Sequence, residues 1–209
     1  MRSIRAAVAV TVLAATSALA VPVGTSQAVA CPAWTKTQVA RGFSTLENIA
    51  FDGAGTMLLS ESPAAGKPGA IRGLSVAGVR STVVAAVTSP GGLVLDGRTL
   101  YFNSGNGLAS GAFNKADGKL NKVDLDTGVV STVATGLVMP NGLIRLPGGD
   151  FVVSRDLGKG STSRITPSGT VTPFAPQATS TNGMAVDAAR GEFYVDSTFN
   201  AKTVISVIS

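Results

Sequence analysis

The stretch VMPNGLIRLPGGDFVVSRD, Val138 to Asp156, decides the fold, because a near copy, STNGMAVDAARGEFYVDST, runs from Ser180 to Thr198. Taken alone, Asn141-Gly142 is a type I′ hairpin signal. A turn needs no copy at fixed spacing, however, and the two asparagines stand 41 residues apart. Two earlier segments extend the alignment: ENIAFDGAGTMLLSES, Glu47 to Ser62, and GGLVLDGRTLYFNSG, Gly91 to Gly105. Successive starts lie 44, 50 and 41 residues apart. Each segment reads as a short apolar strand, a turn rich in Gly and Asp, and a second strand carrying an aromatic or large aliphatic residue.

The residues after each hairpin repeat as well. AIRGLSV and STVVAAV come after the first; KLNKVDL and VVSTVAT, around DTG, after the second; SRITPSG and TVTPF after the third; KTVISVIS after the fourth. Four strands in a unit of about forty residues predict an all-β chain, a β-propeller of four-stranded blades. Three blades are complete and a fourth is present in part. A β-sandwich would not repeat with matched strand types, and solenoid coils are shorter.

In a propeller the first strand of each blade lines the central channel, so equivalent positions at one end converge on the axis. Those positions here are Glu47, Gly91, Asn141 and Asn182. One carboxylate and two amide carbonyls, with water completing the shell, make a hard-cation site, and all-oxygen ligands suit calcium or magnesium. Other readings compete. Ser44-x-x-Glu47 matches a helix capping box, although Asp52-Gly53 and Gly55 come too soon for a useful helix. Asn141-Gly142 and Asn182-Gly183 are open to the turn reading, and all these residues to one in which they satisfy backbone groups at the channel mouth and bind nothing.

The bulk properties narrow the field. Of 209 residues, 44% are hydrophobic and 14% charged, enough apolar surface for a core and too little charge for disorder. The net charge of +5 includes Arg2 and Arg5 near the N-terminus, and without a basic run it gives no nucleic-acid footprint. Histidine is absent, which excludes His-assisted triads and imidazole zinc sites. Residues 1–30 read as a secretory signal peptide: basic Met1 to Arg5, apolar Ala6 to Ala20, then Ala28-Val29-Ala30 before a cut at Cys31. The apolar run is shorter than the ~20 residues of a spanning helix. The expectation is therefore a secreted protein, with residues 31–209 as a propeller domain and no membrane association after cleavage. Cys31 is the only cysteine, so it is free, lipidated or paired with a cysteine outside this chain.

A first-blade Glu, then PNGL, then a unit like NGMAVD, resembles the senescence marker protein/gluconolactonase family, the regucalcin-like six-bladed propellers. The resemblance covers Ser44 to the end of the chain. It implies an axial divalent cation, often calcium, with Glu47 and Asn141 among its ligands. Asn182 falls where the family carries an Asp that is both ligand and general base. An amide still coordinates through its carbonyl but takes no proton from water near neutral pH. The implied reaction is metal-assisted hydrolysis of a cyclic ester. Asp196 and Glu61, near the ends of second strands, are alternative bases. Asn103, assigned to the same second-strand column, is a candidate for contacting a small-molecule or sugar-like ligand. Arg155 and Asp156 read as a surface pair. Measured against six blades the chain looks like a fragment. A non-catalytic propeller with a structural calcium ion is the competing function.

Overall fold

The computed structural model describes residues 34–63, 67–157, 160, 162–199 and 204–208. The chain divides into two compact units, Met1–Thr37 and Gln38–Ser209. Of the first, the described residues 34–37 carry no regular structure. The signal peptide expected over 1–30 and Cys31 lie outside the described residues. No described helix is long and apolar enough to cross a membrane.

The second unit is built of antiparallel sheets that follow the sequence repeat. Blade 1 is β1 (Thr45–Phe51), β2 (Thr56–Ser62), β3 (Gly69–Ser75) and β4 (Arg80–Val87), hydrogen-bonded in that order. Blade 2 is β5 (Leu93–Asp96), β6 (Thr99–Ser104), β7 (Gly118–Asp124) and β8 (Val130–Leu137), with a short helix α1 (Leu108–Ala112) between β6 and β7. Blade 3 is β9 (Pro140–Arg145), β10 (Phe151–Arg155), β11 (Thr162–Ile165) and β12 (Val171–Phe174). The fourth sheet has three strands, β13 (Thr181–Asp187), β14 (Glu192–Ser197) and β15 (Ile205–Ile208). Three complete blades and a partial fourth are what the repeat predicts. The Glu47 capping box forms no helix, because Thr45–Phe51 is strand.

The core lies between blades, and strand alternation explains why. Leu100 and Phe102 of β6 face blade 1, packing with Leu58, Ile71, Val84 and Val87. The intervening Tyr101 faces blade 3, its ring 4.5 Å from that of Phe151. Phe151 and Val153 face blade 2 with Leu120 and Leu137, while Val152 between them joins Phe193 and Val195 of the fourth sheet. Period-2 alternation thus gives each second strand two apolar faces. Burying one such side chain stabilises by about 1.5–3 kcal/mol.

Each crossover enters its inner strand through a residue in the left-handed region: Ser89 (φ 39°), Met139 (φ 44°) and Ser180 (φ 53°). Such a conformation is costly outside glycine. Hydrogen bonds hold it: Asn106 N–H donates to the Ser89 carbonyl at 2.9 Å and Thr198 N–H to that of Ser180 at 2.9 Å. Met139 N–H donates to Ser110 Oγ of α1 at 3.0 Å.

Candidate metal centre at the channel mouth

Glu47, Asn141 and Asn182 occupy the same structural position in three blades, and each sits at an irregularity of its inner strand. In blade 1 the pairing of β1 with β2 skips Glu47, between Leu46 and Asn48. In blade 3, Asn141 and Gly142 together face Ser154. In the fourth sheet, Asn182 and Gly183 together face Asp196. An extra residue in one strand bends it and re-aims the side chain. Neither Asn141 nor Gly142 has positive φ, and both lie inside β9. The type I′ turn reading therefore fails, because that turn needs φ > 0 at both central residues.

Gly142 has a packing role instead. A Cβ there would stand 2.8 Å from the Asn182 carbonyl oxygen and 2.8 Å from Ser154 Oγ. Its N–H donates to Ser154 Oγ at 2.7 Å. Gly183 repeats the arrangement, its N–H donating to Asp196 Oδ1 at 2.8 Å. Asn-Gly thus combines an aimed amide with a residue small enough for neighbouring inner strands to close together.

The asparagine amides are anchored alike. Asn141 Nδ2 donates to Asp156 Oδ2 at 2.8 Å, and Asn182 Nδ2 donates to Thr198 Oγ1 at 2.8 Å. Asp156 and Thr198 are equivalent, each two residues beyond the one facing its Asn-Gly. A carboxylate accepts only, so the Asn141 amide orientation is fixed, leaving its Oδ1 free to serve as an acceptor.

Asp156 corrects the sequence reading. Rather than forming a surface pair with Arg155, it is buried, 8% exposed, and its Oδ1 has no hydrogen-bond partner. Arg155 instead donates from Nε to the Leu157 carbonyl at 3.0 Å and from Nη2 to Asn114 Oδ1 at 2.6 Å. Arg155 ends β10 and Asp156 lies one residue beyond it, so "RD" read as an ion pair concealed that the two side chains part. Burial raises the Asp156 pKa, its hydrogen bond from Asn141 opposes that, and the Asp196 charge raises it further. Glu47, more exposed, is also raised, first by desolvation and then by the charge of Asp156. Glu47, Asp156 and Asp196 therefore share one electrostatic environment with Asn141 and Asn182.

Two other residues fall elsewhere. Asn103 is fully buried. Its Nδ2 donates to the carbonyls of Asn141 and Gly142, both at 3.2 Å, so its reach to the mouth runs through the backbone of blade 3. Glu61 lies one step outside the column of Ser60, Asn103, Ser154 and Asp196. It accepts from Ser44 N–H at 2.8 Å and pairs with Arg72 Nε at 2.7 Å. That backbone bond and Arg72 hold its carboxyl below the usual range. Committed to these partners, Glu61 is not available as a base.

The residues fit a hard cation. The mouth gathers carboxylate and amide oxygens, and a buried carboxylate oxygen lacking any donor is the group a cation would satisfy. Among the described residues no three acidic side chains stand close enough together to hold a metal by themselves, so a cation here would need amide oxygens as well.

Comparison with solved structures agrees with this architecture. A gluconolactonase from Xanthomonas campestris is similar at TM-score 0.55 and 14% identity over 74% of this chain and 55% of that one. A luciferin-regenerating enzyme is similar at TM-score 0.52 and 14% identity, over 78% and 59%. TolB from Acinetobacter baumannii is similar at TM-score 0.55 and 13% identity, over 82% and 45%. The likeness is one of fold. The chain spans about half the length of these proteins. No family model and no curated protein matches the chain.

Proposed function

We propose that the chain is a divalent-cation-binding propeller of lactonase type, with calcium held at the channel mouth by Glu47, Asn141, Asn182 and Asp156. The observation that carries this reading is the unpartnered Oδ1 of buried Asp156 beside Asn141, in a site where the Asp156 charge raises the pKa of Glu47 and the Asp196 charge raises that of Asp156. A divalent ion would neutralise that repulsion. When bound, it supplies Lewis acidity to the carbonyl of a cyclic ester. The protein's own residues hold and orient: Asn103 and Ser154 fix the backbone around Asn141 and Gly142. Asp156 contributes the negative charge that an Asn at position 182 lacks. We read residues 1–30 as a signal for secretion and the substrate as a small, sugar-like molecule.

Calorimetric titration of calcium into wild type and Glu47→Ala tests the site; equal binding by both overturns it. A pH-stat assay over a panel of lactones, with and without calcium, tests the chemistry. One observation favours a second reading, in which calcium is structural and the propeller binds without catalysis: Asn182 offers no base, and Asp196 is engaged by Gly183 N–H. Calcium binding without turnover on any lactone selects that reading.

A further inference from the structure

The seams between blades repeat as the blades do, and two of them can be compared position by position. Between blades 2 and 3 a small cavity of about 150 Å³ is lined by Gly136, Val153, Arg155 and Ser163 among others. The equivalent positions between blades 1 and 2 are Ala86, Phe102, Ser104 and Asn121, since Phe102 pairs with Asn121 as Val153 pairs with Ser163. These four line a cleft of about 610 Å³. The same seam is thus about four times larger in one place.

Two features account for the difference. Where blade 3 has Arg155, blade 2 has Ser104. The Arg155 side chain lies along its own seam, bonded to Leu157 and Asn114, and burial lowers its pKa. Serine leaves that volume open. The second feature is the segment between β6 and β7 that carries α1, which raises a wall over the cleft through Gly107, Ala109 and Ser110. That wall is fixed at both ends: Gly105 N–H donates to the Thr88 carbonyl at 2.7 Å, and Ser110 Oγ accepts from Met139 N–H at 3.0 Å. The opening is therefore built into the fold.

Its chemistry is that of a neutral polar pocket with an apolar base. Val84, Val87 and Phe102 form the base and belong to the core between blades 1 and 2. Ser104 Oγ accepts from Asn121 Nδ2 at 3.0 Å, while Asn121 Oδ1 takes the Thr132 hydroxyl at 3.1 Å. That pattern leaves the Ser104 hydroxyl proton free to donate. Thr88 and Ser89 add hydroxyls, and Lys119 and Asp117 place opposite charges at the rim. Hydroxyl donors and acceptors without net charge, over aliphatic and aromatic surface, match a sugar ring, which carries C–H patches between its hydroxyls. The volume falls within the ~300–1,000 Å³ range of small-ligand pockets.

We propose that this inter-blade cleft is a second ligand site, separate from the channel mouth, that takes a neutral saccharide unit. It does not depend on the axial cation. The test uses the isotope-labelled full chain and NMR titration with glucose, galactose, mannose, xylose, N-acetylglucosamine and cellobiose, with citrate and arginine as charged controls. At least one sugar is expected to shift the amides of Ser89, Ser104, Lys119 and Asn121. Ser104→Arg, which copies the residue blade 3 already accommodates, should weaken that sugar by at least about tenfold and leave calcium binding unchanged. If Ser104→Arg does not fold, Ala85→Arg on the exposed opposite wall replaces it. The proposal fails if no sugar shifts these amides, if the shifts centre on Glu47 and Asn141, if only the charged controls bind, or if binding persists in a folded arginine variant.

Discussion

Asn141 and Asp156, fifteen residues apart, are joined by a 2.8 Å hydrogen bond that Asn182 and Thr198 repeat in the next sheet. The repeat conserves the anchor of each amide while changing its chemistry from carboxylate to hydroxyl. Only in blade 3 does the anchor bring a negative charge, and there its second oxygen, Oδ1, is buried without a partner. Asp156→Asn keeps an acceptor for Asn141 and removes the charge. Calcium affinity should fall by at least about tenfold, because one of the two carboxylates proposed to hold the ion is gone. The melting temperature of calcium-free protein at neutral pH should rise, because a buried like-charge neighbour of Glu47 is gone. Calorimetry and thermal denaturation check the two effects separately.

The pH dependence of the calcium-free protein should have two limbs. Glu47 and Asp156 have raised folded pKa values, so the folded state holds more protons than the unfolded state above the ordinary carboxylate range. Their contribution is fully present below that range and is lost as pH rises through the raised values. Glu61 and Asp52 are lowered, Glu61 first by the Ser44 N–H and Asp52 first by the Thr56 N–H. Their contribution is present above the ordinary range and is lost as pH falls through the lowered values. Melting temperature against pH should therefore peak in the weakly acidic region. Calcium should flatten the alkaline limb, and Glu61→Gln should flatten the acid one. A monotonic curve would contradict the assignment.

Gly142→Ala and Gly148→Ala should part company. A Cβ at 142 meets the Asn182 carbonyl and Ser154 Oγ at 2.8 Å, whereas at 148 nothing lies within 4 Å. The first substitution forces two inner strands apart and should cost about 1–3 kcal/mol. The second should be neutral or gain up to about 1 kcal/mol through the unfolded chain. Urea denaturation of both proteins reads the difference.

Asn103→Ala removes both side-chain bonds to the carbonyls of Asn141 and Gly142. It should destabilise by about 1 kcal/mol, the usual net worth of such hydrogen bonds, since the Asn141 carbonyl keeps its bond from Gly92 N–H. Calcium affinity should fall in parallel, because the strand bearing Asn141 loses the side-chain part of its support from blade 2 and keeps only the Gly92 N–H bond to the Asn141 carbonyl. Unchanged affinity in a destabilised variant would separate the column from the mouth.

The architecture was legible because each blade writes its pattern twice over, in strand alternation and in the period near forty residues. The Glu47, Asn141 and Asn182 column was legible for the same reason, since a repeat aligns positions that no motif would. What escaped was chemistry that varies between blades. Asp156 has no acidic counterpart at the equivalent Thr198, so the repeat gave it no weight, and its neighbour Arg155 supplied an easy surface partner. Asn103 shared the right column yet points across a seam into the next blade, a direction set by packing that no one-dimensional pattern carries.

The bulges at Glu47, Asn141-Gly142 and Asn182-Gly183 have an evolutionary consequence. An extra residue taken up between ladder bonds leaves the register of the remaining strands untouched. The side chain it presents can be exchanged without re-pairing the sheet, so the mouth can be rewritten one blade at a time while the cores between blades stay as they are. Gly91, which offers no side chain in the blade 2 position, is what such piecemeal editing would leave behind.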